Sequence, residues 1–446
     1  MQLAQQLIET SKEFVREKDP IKICGRVNKG VGLVIEGTNP KANIGDICQI
    51  QLKGPHKDTI IEAEVIGFRG GTVLLMPLAN TMGIGAGARI ISRGRQKYIK
   101  VGSSLLGRVI DGLGVALDEK GPIRGHLYPI YNEPINPLHR RRITEPIELG
   151  IRAIDLMLTC GKGQRMGIMA GSGVGKSILL GMIARNTNAD INVIALIGER
   201  GREVREFIEK DLGDEGLNRS VLVVATSDTS PLMRIRAAFV ATAIAEYFRG
   251  KGKNILFMMD SVTRFAMAQR EVGLTAGEPP TTKGYPPSVF NLLPKLLERV
   301  GTCDGEGTIT GLYTVLVEGD DMNEPIADAV RSILDGHIML SRDLANQNHY
   351  PAIDILSSIS RLIKDITSAK QREYVGKTLE IMATYKRYED VITIGAYKAG
   401  TNPRLDYSIN MMDKIRAIFR QGIQEKSNYN DALNLLYNIY DKGADA

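Results

Sequence analysis

The spacing of apolar positions changes along the chain, and each change marks a different kind of element. Over 1–20, Leu3, Leu7 and Phe14 fall roughly on one side of a helix, with mixed charges elsewhere. A helix this short is marginal alone, so it packs on the next domain or waits for a partner. From 21 to 95 the runs are short and β-rich: IKICGRV, GLVIEG, DICQIQL, TIIEAEVIGF, GTVLLMPL and ARIISRG, separated by Gly, Pro and Asn. Gly70-Gly71 reads as a hairpin turn, and strands at this spacing predict a small antiparallel barrel. Residues 96–150 hold Pro122, Pro129, Pro134 and Pro137 and read as an irregular connector. From 151 to 365 apolar runs short enough for strands (RMGIMA, NVIALIG, SVLVVATS, NILFMMD, TITGLYTVLV) alternate with amphipathic stretches such as PLMRIRAAFVATAIAEYFR. That alternation predicts an α/β domain whose parallel sheet is covered on both faces. Residues 366–446 have helical periodicity, interrupted at KAGTNPRLD. The expected units are therefore 1–20, 21–95, 96–365 with its connector 96–150, and 366–446.

Composition narrows the class. A chain of 446 residues suggests about three domains. Its 43% hydrophobic and 24% charged residues are those of a soluble globular protein. No apolar run approaches the ~18–20 residues of a membrane span. Glu9, Lys12, Glu13, Arg16 and Glu17 break up any signal-peptide core, so the chain is expected in the cytoplasm. Cys24, Cys48, Cys160 and Cys303 are far apart, and neither a disulfide framework nor a zinc site is indicated. A net charge of +6 is too weak to argue nucleic-acid binding alone. The densest basic run, HRRRI at 139–143, reads as a solvated linker or intersubunit contact before it reads as an anionic-partner patch.

The candidate chemistry centres on AGSGVGKS, Ala170 to Ser177. Backbone N–H groups can converge on phosphates only where unusual dihedrals are allowed and no Cβ intervenes. Gly171, Gly173 and Gly175 meet that need, with Ser172 and Val174 between them. Lys176 can reach terminal phosphates, the Ser177 hydroxyl can ligate Mg²⁺, and the helix starting there adds its positive end. RMGIMA enters the loop as a strand and SILLGMIAR leaves it as a helix, the context the motif requires. Hydrolysis also needs a second metal-directed carboxylate and a group that orients water. Asp260 ends the apolar run NILFMMD and so faces the ligand crevice; a helix-capping role is the alternative. Glu199 lies just past another core strand, a station for a water-polarising base, with Arg200, Arg202 and Glu203 as neighbours; a plain surface turn is the alternative.

The stretches AGSGVGKS, GERGREV, ILFMMDSVTRFAMAQREVGL, GEPPTTKGYPPSVF and YPAIDILSSISR together resemble the catalytic subunits of rotary ATPases. ATSDTSPLMRIRAA and EGDDMNEPIADAVRSILDGHIMLSRDLA resemble more narrowly the type III secretion ATPases, nearest the flagellar protein-export branch, with the injectisome branch as rival. The likeness runs from about 21 to 440. It implies a small β-barrel, a RecA-like P-loop core and a helical C-terminal domain. It matches Lys176 and Ser177 to phosphate and Mg²⁺ binding, Glu199 to the general base, and Asp260 to the Walker B carboxylate. It matches Arg361 in SISR to an arginine finger that reaches a neighbouring subunit's ATP, and Tyr350 to an aromatic stacking on adenine. Arg264 aligns with a charged residue near the site whose role is left open. Ala170 at the first loop position is the one departure, and many family members share it. The resemblance further implies a dimeric regulatory protein at the N-terminal helix. A central stalk protein, an export gate, chaperones and export substrates are implied as other partners, at a location peripheral to the inner membrane.

With base and finger on one chain, a ring of identical subunits could form a complete site at every interface, and a homohexamer is expected. Two other readings are a non-catalytic nucleotide-binding ring subunit, which would lack Glu199, and a nucleic-acid translocase. The translocase would want aromatic residues in its barrel, but residues 21–95 hold only Phe68, with Lys97-Tyr98 just beyond. No nucleic-acid partner is expected.

Overall fold

The computed structural model describes residues 23–52, 59–79, 81–94, 98–317 and 321–441. The helix expected at 1–20 lies outside the described residues, as do Lys97 and 318–320 of the acidic stretch quoted above.

The chain divides into two compact units, one up to residue 96 and one holding nearly all the remainder. The first is a closed antiparallel barrel of β1 (Cys24–Val31), β2 (Val34–Thr38), β3 (Ile47–Leu52), β4 (Thr59–Arg69), β5 (Thr72–Pro77) and β6 (Arg89–Ser92), in the order 1-2-5-4-3-6. Alternating residues point inward, so Cys48, Ile50, Ala63, Val65, Val73, Leu75 and Ile90 fill the interior. Gly70 and Gly71 join β4 to β5 with φ of 52° and 83°, the left-handed pair that a two-residue hairpin needs. Because β1 pairs with both β2 and β6, the barrel exposes no open edge.

The second unit is built on a nine-stranded sheet. The connector is less irregular than its prolines suggest. Its β7 (Tyr98–Val101) pairs with β9 (His126–Pro129), and β8 (Arg108–Ile110) adds in parallel to one edge of the sheet. A short pair, β10 (Pro146–Ile147) and β11 (Cys160–Gly161), follows. The sheet then takes β12 (Arg165–Ala170), β13 (Ile191–Ile197), β14 (Ser220–Ala225), β15 (Asn254–Asp260), β16 (Gly301–Thr302), β17 (Thr308–Leu316), β18 (Gly336–Leu340) and β19 (Ile353–Ser360). The order is 19-18-12-17-15-13-14-8, with β16 paired to β17. All the pairs are parallel except β18–β19 and β16–β17. Strands β13, β14 and β17 are buried almost end to end, the continuous apolar runs of a sheet covered on both faces. A fully buried ion pair, Arg299 with Glu246 at 2.7 Å, anchors the connector: Asn132 donates to Glu246 and Arg299 to the Ile130 carbonyl.

Three helices close the unit: Ala369–Thr393, Pro403–Phe419 and Tyr429–Asp441. The second begins inside the stretch that reads as a break. Asn402 caps it, accepting from Arg404 and Leu405 N–H groups, and Pro403 takes the first helical position, where its missing N–H costs nothing. No helix among the described residues is long and apolar enough to cross a membrane.

Candidate active site

Parallel strands place their C-terminal ends on one side of the sheet, and ligands bind there. Strand β12 ends at Ala170, and the chain turns through Gly171–Gly175 into the helix Lys176–Asn186. Gly173 and Gly175 have φ of 79° and 87°, so both need to be glycine. Ser172 and Gly173 are exposed at the tip, while Val174 is buried and pins the loop to the core. Ser177 is exposed in the first helical turn. Two left-handed glycines leading straight into a helix N-terminus make a backbone suited to phosphate oxygens.

Two further strand ends supply carboxylates. Asp260 is the last residue of β15 and is 4% exposed; its Oδ1 accepts from the Thr314 hydroxyl at 2.7 Å and from Lys176 Nζ at 2.5 Å. Glu199 follows β13 by two residues, after Gly198 turns the chain with φ 73°. A Cβ on Gly198 would stand 2.9 Å from the Arg264 Cβ, so this turn too is confined to glycine. Lys176 Nζ lies 3.6 Å from Glu199 Oε1. Burial works against the Lys176 ammonium, but Asp260 and Glu199 outweigh it and hold its pKa above the ordinary lysine value. For Glu199, burial and then the Asp260 charge push its pKa up to about 7, against the pull of Lys176, with Glu203 adding to the rise. The arrangement sets one cation between two carboxylates, one of them, Glu199, with a pKa near neutrality, where a group can take up or release a proton.

Tyr350 precedes β19 at the same end of the sheet. Its ring lies 3.5 Å from where a Gly175 Cβ would stand, and the residue is 40% exposed. Arg361 is different. It follows β19 at the opposite end of the sheet, its N–H bonded to the Asp335 carbonyl, beside the start of β12. The six residues of β12 separate it from its own loop by roughly 17 Å at ~3.3 Å per residue, beyond an arginine's reach. Its guanidinium is exposed and makes no hydrogen bond or ion pair among the described residues. The structure thus gathers Lys176, Ser177, Glu199, Asp260 and Tyr350 and sets Arg361 apart. Arg264, whose role the sequence leaves open, packs on Gly198, and its Nε is buried with no hydrogen-bond partner among the described residues. Thr314 is a site residue that sequence reasoning missed. Its only signal is a hydroxyl inside the apolar run TITGLYTVLV.

A glycine loop between strand and helix, with carboxylates on neighbouring strand ends, defines a P-loop nucleotide-binding protein. Its family follows from three matching models: the ATP synthase alpha/beta family nucleotide-binding domain over 150–360, the β-barrel domain of the same family over 27–94, and the C-terminal domain of the type III secretion ATPase EscN over 367–438. The chain is 53% identical to the flagellum-specific ATP synthase of Bacillus subtilis, over 96% of this chain and 97% of that one. It is 46% identical to the type 3 secretion system ATPase of Xanthomonas euvesicatoria over 98% of each chain. The assembled EscN of enteropathogenic E. coli superposes with a TM-score of 0.87 at 46% identity, covering 93% of this chain and 99% of that one. The chain belongs to the ATP synthase alpha/beta family, in the branch that holds the flagellar and type III secretion ATPases, and it is a P-loop ATPase.

Proposed function

We propose that the protein hydrolyses ATP with Mg²⁺ to energise type III protein export, in the flagellar system, unloading and unfolding export substrates from their chaperones. The observation that carries the hydrolysis is the triad at the strand ends, Lys176 against Asp260 at 2.5 Å and Glu199 at 3.6 Å, and the likeness to flagellar and type III secretion ATPases carries the link to export. The Gly171–Gly175 N–H groups hold the β- and γ-phosphates, and Lys176 leaves its carboxylates to balance the γ-phosphate. Ser177 and Asp260 are oxygen donors of the kind Mg²⁺ takes; they would hold the ion, which when bound would supply charge neutralisation for the triphosphate. Glu199 orients water and accepts its proton, Tyr350 stacks on adenine, and Arg361 completes the site of the next subunit. The buried, unpaired Nε of Arg264 beside the Glu199 turn fits a site built for an anion. Glu199 beside Lys176 also argues against a non-catalytic ring subunit. The 53% identity to a flagellar relative against 46% to a secretion relative favours the flagellar system over the injectisome.

The subunits assemble as a homohexamer on this reading, and the separation of Arg361 from its own loop supports a site shared between neighbouring copies. EscN has been solved assembled, and also in complex with its central stalk EscO. By that likeness a stalk protein meets this ring; the family resemblance adds a dimeric regulator at the N-terminal segment and a place at the export gate, peripheral to the inner membrane, as further parts of the proposal. Turnover per subunit is expected to rise with protein concentration in step with assembly followed by light scattering. Flat turnover across a dilution that yields monomers contradicts a shared site.

A pH profile tests Glu199. Its carboxylate is the working form, so kcat/KM falls as pH drops through about 7. Glu203→Gln removes a neighbouring charge that raises this pKa, and the acid limb should move to lower pH. ATP's own titration is the same in both proteins, so an unmoved limb assigns the limb to another group.

A further inference from the structure

Tyr350 is held from behind by the segment that follows the helix Pro403–Phe419. The Gln421 N–H donates to the Tyr350 carbonyl at 2.9 Å, so the placement of residue 421 sets that of the tyrosine's peptide. Gln421 is 5% exposed, and its amide is used on both sides. Oε1 accepts from the Arg152 N–H at 2.9 Å, while Nε2 donates to the Gly150 carbonyl at 2.8 Å and the Glu425 carbonyl at 2.9 Å. A buried amide so satisfied is locked in one rotamer, because any other leaves polar atoms unpaired away from water. Buried Arg152 completes the grip. Its Nε donates to the Ile418 carbonyl at 2.6 Å, and its guanidinium also bonds the Arg420 carbonyl and the Glu425 carboxylate. It caps the C-terminal end of Pro403–Phe419, where free carbonyls and the helix dipole favour a cation.

The other side of this clamp reaches the phosphate-loop helix. Gly150 has φ 70°, and a Cβ there would stand 2.3 Å from the Cβ of Asn186, the last residue of Lys176–Asn186. The neighbouring Glu148 carbonyl accepts from the Thr187 hydroxyl at 2.8 Å. Gln421 is therefore bonded both to the strap behind the loop helix and to the tyrosine whose ring lies over the loop.

We propose that Gln421 and Arg152 are positioning residues for base recognition: they fix Tyr350 relative to the phosphate loop and make the grip on the adenine ring depend on the C-terminal helices. This rests on Tyr350 as the base platform. The clamp touches neither Lys176, Glu199 nor Asp260, so its loss should appear in KM and spare kcat.

The test uses Gln421→Met, which keeps the buried volume and removes the amide, and Arg152→Lys, which keeps the charge at the helix end and carries the test if the first variant fails to fold. Each should raise the KM for ATP about tenfold with kcat within about twofold. Each should leave unchanged the inhibition constant of inorganic tripolyphosphate, a competitor with no base. In a Tyr350→Ala background, Gln421→Met should add nothing more, since it acts through the missing ring. Equal weakening of ATP and tripolyphosphate, or full additivity with Tyr350→Ala, overturns the proposal and leaves only a structural role. If Tyr350→Ala leaves the ATP KM unchanged, the platform reading itself fails. If Tyr350→Ala raises that KM and neither clamp variant does, the platform stands and the clamp falls.

Discussion

Glu199→Gln is expected to lower ATP turnover by ~10²–10⁴-fold while leaving ATP binding intact, the range that general-base catalysis typically contributes. The substitution keeps the shape of the side chain and removes only its capacity to take a proton. Lys176 and the glycine loop, the proposed grip on the triphosphate, are untouched. Losing the carboxylate next to Lys176 also removes a competitor for the lysine at 3.6 Å, so the affinity for ATP should stay level or rise. Equilibrium binding of a fluorescent ATP analogue beside single-turnover hydrolysis separates the two effects. Hydrolysis at the original rate removes Glu199 from the mechanism. A parallel loss of binding would make it a ligand of the nucleotide instead of a base.

Arg361→Ala should cost more, ~10³–10⁵-fold in turnover, the range of an arginine finger. The reason is geometric. Arg361 lies at the far end of β12 from its own loop, with its guanidinium exposed and unbonded among the described residues. Its loss should therefore leave folding and ATP binding by single subunits unchanged and remove only what a neighbour receives. Arg361→Lys should recover little, because a point charge does not reproduce the planar fork that spans phosphate oxygens. Steady-state hydrolysis at a concentration where the ring is assembled checks both variants. Full activity of Arg361→Ala in an assembled ring would contradict the role.

Much of this site is legible in the sequence because a parallel sheet makes it so. Buried strands are continuous apolar runs, so RMGIMA and NILFMMD match β12 and β15 residue for residue, and the polar residue that ends such a run must face the crevice. That logic finds Lys176, Glu199 and Asp260 from local context. It cannot find Thr314, whose meaning depends on lying beside Asp260 across a strand boundary, nor Gln421 and Arg152, which meet across 269 residues. The three-residue β8 hides in the connector because its register comes from β14, not from its own pattern. Likewise PRLD reads as a breaker until Asn402 is seen to cap the helix that Pro403 opens. What is lost in each case is tertiary: a residue whose partner, not its neighbours, sets its role.

On the proposed mechanism each ATP is worked on by two copies of this chain, one giving Lys176 and Glu199 and the next giving Arg361. Mixing Glu199→Gln and Arg361→Ala subunits, each inactive alone, tests it most directly. In a randomly mixed ring, about a quarter of the interfaces unite an intact Glu199 with an intact Arg361, and hydrolysis should return to a comparable share of the unmodified rate. A mixture shown to co-assemble that stays as inactive as its two components would contradict the claim.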